Sequence, residues 1–223
     1  ISDKASSSKR FGSWSRAPKE WIPYNPSYSD YQIPGSMNRF TTKCLNIGTR
    51  EALLSDYEIE MAFQNSRDHG AAILSFTNHD FREMSDDIDD IYSRIHDIGS
   101  KYQDVSIINS DALDAMQKIL FNKQEIADNK IILEAELINV NSVQKVVINC
   151  KNGSVFGSQP YLAIRTTKGQ YYHDNLYEKE FKKSWEYIFD ESSIHINEID
   201  KVSIAVNDKY GNQSIVQLDM TCL

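Results

Sequence analysis

The chain has 223 residues, 40% of them hydrophobic and 25% charged, which suits one large domain or two small ones and argues against a disordered protein. Lys and Arg number 24 against 32 Asp and Glu, a net charge of -8. That balance argues against nucleic acid or an anionic membrane as the main partner, because both reward clustered Lys and Arg.

No apolar run reaches the ~18 residues of a membrane span, and the first residues are too polar for a signal peptide. A soluble chain is expected, cytoplasmic or associated with the cell envelope. The cysteines, Cys44, Cys150 and Cys222, lack any C-x-x-C or Cys/His ligand spacing, so a structural zinc site has little support. Cys150 and Cys222 could pair if their strands lie side by side; three separate thiols is the reading the spacing favours.

Residues 1–40 are rich in Ser, Pro, Trp and Tyr. The run from Trp14 through Pro18, Trp21, Pro23, Tyr24 and Pro26 cannot be a helix interior, because proline removes amide donors and biases its predecessor to extended geometry. Its aromatic density predicts an ordered functional loop. Tyr24, Tyr28 and Tyr31 suit either a sugar platform or anchors for that loop.

A helix is predicted over 50–66, followed by a buried strand, Ala71–Phe76. A second helix is predicted over 86–98, its aspartates at the end that the helix dipole favours for acidic groups. Val105–Ile108 reads as another buried strand, and Asp111 as the N-cap of a helix through Leu120. Helices alternating with short apolar strands imply a parallel α/β layer. The cluster Asp86, Asp87, Asp89 and Asp90 lacks the Gly and terminal Glu of a calcium loop and reads as a solvated helix start.

Near residue 128 the texture changes. Ile131–Leu137, Val143–Cys150, Tyr161–Thr166, Trp185–Phe189, Val202–Val206 and Ser214–Leu218 alternate and are rich in Val, Ile and Tyr, with turn signals such as Asn152-Gly153 and Lys168-Gly169 between them. The expected domains are therefore an α/β unit, 1–127, and an all-β unit, 128–223, of immunoglobulin-like sandwich type. Tyr161, Tyr171, Tyr172, Tyr177, Trp185 and Tyr187 are numerous enough for a carbohydrate-binding face, though aromatics also fill small sandwiches.

The strongest candidate for chemistry is Leu74-Ser-Phe-Thr-Asn-His79-Asp80-Phe-Arg82. A histidine at the C-terminal end of a parallel strand lies where α/β folds place catalytic loops, and imidazole exchanges protons near neutral pH. The plainer alternative is that His79 caps the strand while Asp80 hydrogen-bonds a loop amide.

Ile73 through Asp80 resembles the last motif of the polysaccharide deacetylases (carbohydrate esterase family 4 type), and Ser15-Arg16-Ala-Pro18 with Trp21 and Tyr24 is similar to that family's Arg-x-Pro motif and neighbouring tryptophan. The likeness covers roughly residues 10–122 and implies an incomplete deacetylase-type (β/α) barrel ahead of the sandwich. It implies metal-dependent removal of N-acetyl groups from a sugar or glycan, as in O-antigen or exopolysaccharide metabolism. His79, with Asp80, would serve as the acid, and Arg16 would orient the catalytic aspartate. Trp21, Tyr24 and Tyr31 would line the sugar site.

The family's Thr-Phe-Asp-Asp motif and its His-x-x-x-His pair are absent, and the five histidines contain no pair at that spacing. The divalent, zinc-like metal of the complete family enzyme is therefore not expected on these residues alone. Together with the Ile1 start, this leads to the expectation of an N-terminal portion of the same protein that carries the metal ligands. A non-catalytic carbohydrate-binding protein on a degenerate scaffold is the alternative.

Overall fold

A computed structural model describes residues 14–48, 53–79, 81–190 and 194–220. The chain divides into two compact units, Ile1–Leu120 and Phe121–Leu223, and is mixed α/β with mostly antiparallel sheets. Among the described residues no helix is long and apolar enough to cross a membrane.

In the first unit the Pro-rich segment is ordered by a nested hairpin. Tyr24 and Thr41 exchange backbone hydrogen bonds, Gly35 donates to Asn25, and Pro26 bridges Pro34. Strand β1 (Leu45–Asn46) pairs in parallel with β2 (Phe76–Thr77), in the register Leu45 to Phe76. Between them runs α1 (Asp56–His69), capped by the Ser55 hydroxyl on the Glu58 amide and closed by Gly70 at φ 85°. This cap explains why the helix starts later than the predicted 50–66: Ser55 supplies the acceptor that the first turn requires. Helix α2 (Ser85–Gly99) follows β2, and α3 (Ala112–Leu120) ends the unit.

The core gathers Trp21, Leu45, Ile47, Leu54, Ile59, Phe63, Ile91, Ile98 and Tyr102. Two predicted strands come out differently. Only Phe76 of Ala71–Phe76 is in a strand; upstream of it, Ile73 donates its amide to the Trp21 carbonyl (2.9 Å). Residues 105–108 lie outside any strand, and Ile108 is 67% exposed. An apolar run becomes a strand only when a neighbour takes its amides and carbonyls, and among the described residues none pairs with this one.

In the second unit, α4 (Lys123–Asp128) precedes eight strands. β3 (Ile132–Val140), β4 (Val143–Asn152), β8 (Ser184–Phe189) and β7 (Tyr177–Glu180) form one antiparallel sheet in the order β3-β4-β8-β7. β10 (Gln213–Asp219), β9 (Ile199–Asn207), β5 (Tyr161–Thr166) and β6 (Tyr171–Asp174) form the other, in the order β10-β9-β5-β6. Alternate residues from both sheets, including Leu133, Val146, Ile148, Leu162, Ile164, Trp185, Val202 and Ile204, share one core.

All six predicted strands are present; β6 and β7 were not predicted because every residue in them is exposed and no buried alternation marks them. The β3–β4 hairpin turns on Asn141 and Ser142, both at positive φ. Gly153 (φ 75°) is obligatory for space as well, since a Cβ there would lie 2.5 Å from the Asn129 carbonyl oxygen. Helix α4 belongs to this unit rather than to the α/β part: Glu125 accepts from the Tyr210 hydroxyl (2.6 Å), and Phe121 packs edge-on against Tyr210 (4.8 Å). Cys150 and Cys44 are free thiols, and Cys222 lies outside the described residues.

Candidate functional site

The C-terminal ends of β1 and β2 converge on the first turn of α2. Asn78 follows β2 directly; its side-chain oxygen accepts the His79 amide (2.8 Å) and its amide group donates to Asp87 on α2 (2.9 Å). Arg82 forms an ion pair with the same Asp87 carboxylate. Just beyond β1, Gly48 adopts φ 72°, and a Cβ there would run into the Asp87 carboxylate and the Arg82 guanidinium. Asp87 therefore ties the loop after β1, the loop after β2 and the helix start into one cluster.

His79 is half-buried at this cluster. Its imidazole stacks on Phe81 (centroids 5.8 Å apart, planes at 24°), and its buried Nε2 has no hydrogen-bond partner among the described residues. The buried Arg82 Nε–H also lacks one. Buried polar atoms are nearly always satisfied, so two without partners among the described residues make this strand-end cluster the candidate site. The ring carries one lone pair or one N–H at Nε2, and so can accept or give a proton there.

The other candidates gather elsewhere. Arg16 lies on the surface with its guanidinium on Asp30 (2.7 Å), and its backbone amide donates to Gln32 (2.9 Å). The Tyr24 hydroxyl donates to the Tyr31 carbonyl (2.8 Å), and burial, then Asp30 and Tyr31, push its ionisation up. Tyr31 packs edge-on against Trp14 (4.7 Å). Arg16, Tyr24 and Tyr31 thus brace the Pro-rich loop around Asp30.

Trp21, expected to line a sugar site, is 0% exposed and presents no ring face to solvent. Its Nε1 donates to Glu58 (3.1 Å), its amide to Asn65 (2.8 Å), and the Lys43 ammonium sits 4.4 Å above the ring, ion-paired with Glu58. Asp80 lies outside the described residues.

Sequence reasoning missed Asn78, Arg82 and Asp87. The first two were inside the motif that drew attention, but nothing in their spacing announced a shared partner. Asp87 was hidden among four aspartates that looked alike. Among the described residues no group of three or more His, Cys, Asp or Glu could hold a metal ion.

A cleft of about 920 Å³ also opens in this unit, lined by residues of the 70–76 and 104–111 segments and of α3, with neither His79 nor Arg82 in its wall. No family model matches this chain, and no curated protein or solved structure is significantly similar to it.

Proposed function

We propose that the chain contributes the proton-donating side of a carbohydrate N-deacetylase centre, on a partial deacetylase-type (β/α) layer joined to an immunoglobulin-like sandwich. The observation that carries this reading is the buried Nε2 of His79, without a hydrogen-bond partner among the described residues, at the end of a parallel strand pair. In amide hydrolysis water adds to the acetyl carbonyl, the C–N bond breaks, and the departing amine takes a proton, leaving acetate and a free amino sugar. Protonated His79 supplies that proton, Phe81 supports its ring, and Asn78 with Asp87 fixes the backbone from which it projects. The order strand, helix, strand, helix, extended segment, helix supports the fold reading, as does the position of His79 beyond the strand's carboxyl end.

In protein expressed from the complete reading frame, His79→Ala should lower acetate release from an N-acetylated oligosaccharide by about 100-fold or more, with an unchanged circular dichroism spectrum. Undiminished turnover would remove His79 from the mechanism.

A further inference from the structure

We propose that the outward face of the β10-β9-β5-β6 sheet binds a chain of uncharged hexopyranoses. Strand alternation sends Leu162, Ile164, Val202 and Ile204 into the core and Tyr161, Ala163, Arg165, Lys201, Ser203 and Ala205 outward. Pairing then sets the outward residues side by side: His173 beside Ala163, Tyr171 beside Arg165, Ser203 beside Ala163, Ile215 beside Ala205.

The result is a shallow trough. Its floor is the small side chains Ala163, Ser203 and Ala205. One wall is aromatic, with Tyr161 59% and Tyr171 72% exposed and the Tyr161 and His173 rings 6.0 Å apart. The opposite wall holds Ile215, 61% exposed, and Gln217.

Two further observations choose the occupant. Charges on this face cancel: Arg165 holds Asp200, which a β-bulge turns outward, with contacts of 2.8–3.0 Å, and Lys201 stands opposite Asp219. No surplus charge selects a polyanion or a basic peptide. The outward face of the other sheet is different, carrying a ladder of charged pairs, Glu134 with Lys151 and Glu186 with Lys145 and Lys179. Such a ladder is an ordinary solvent face, whereas exposed tyrosines over a floor of small residues are not. A pyranose has C–H faces that lie against aromatic rings and hydroxyls that bond to His, Ser, Gln and the rim of an ion pair.

This inference does not require the chemistry of His79, and the test separates the two. Isothermal titration of the whole chain with cellopentaose and with chitopentaose should show binding of at least one. Tyr161→Ala with Tyr171→Ala should weaken it by about tenfold, while Tyr161→Phe with Tyr171→Phe, Tyr177→Ala on the other sheet, and His79→Ala should leave it intact. Binding of neither sugar, undiminished binding by the double alanine variant, or loss of binding on His79→Ala alone would each overturn the proposal. So would a dimer, seen by sedimentation, that the double alanine variant dissolves, since a second copy would then be the occupant.

Discussion

Two tryptophans, Trp21 and Trp185, are both 0% exposed, yet their indole N–H groups fare differently. Trp21 donates to Glu58, itself paired with Lys43, whose side chain is nearly inaccessible; Trp185 Nε1 is buried with no partner among the described residues. Replacement by phenylalanine removes similar volume at both sites, so the hydrogen bond decides the difference. Trp21→Phe should cost about 1–2 kcal/mol more than Trp185→Phe, read from hydrogen exchange of core amides in each unit. Equal costs would mean that the Glu58 contact contributes nothing. Trp21 also shows why residue roles were poorly legible. A tryptophan in a Pro-rich run looks like an exposed platform, and the groups that bury it, Asn65 and Glu58, are 44 and 37 positions away.

Among elements, legibility followed burial. Strands with one face in the core announced themselves by alternation, while β6 and β7 had no buried face to announce. Residues 105–108 had the composition of a strand without a neighbour to pair with among the described residues. What sets strands side by side includes contacts no pattern reveals: Glu186 on β8 accepts from Lys145 on β4 (2.8 Å) and Lys179 on β7 (3.4 Å).

The Lys145 hydrogen bond, ahead of the opposing desolvation and with help from Lys179, holds the Glu186 carboxyl below its ordinary range. A depressed folded-state pKa stabilises the fold above the unfolded value of about 4.3. That contribution disappears as the pH falls through the lower folded value. Glu186→Gln should therefore flatten the acid limb of the second unit's stability profile and leave its behaviour below that limb unchanged. Thermal unfolding followed across the acid range checks this, and identical acid limbs in the two proteins would show that the clamp is not felt.

At the scale of the whole molecule, each compact unit has its own core, and that of the second is drawn entirely from residues 131–220. A fragment 121–223 should accordingly fold alone, with dispersed amide resonances and a single cooperative transition. A collapsed fragment lacking dispersed resonances would show that its core needs the rest of the chain.

The sequence by itself determined the change from α/β to β-rich texture, helices α1 to α3, the six alternating strands and the interest of the segment Leu74–Arg82. These are local properties, written as periodicity, caps and turn residues within windows of a dozen positions. Only the tertiary structure decided that α4 sides with the β-rich unit, that Trp21 is core, and that Asp87 binds Asn78 and Arg82 beside the half-buried His79. Those outcomes depend on which distant groups satisfy each buried donor, and periodicity carries no information about such partners.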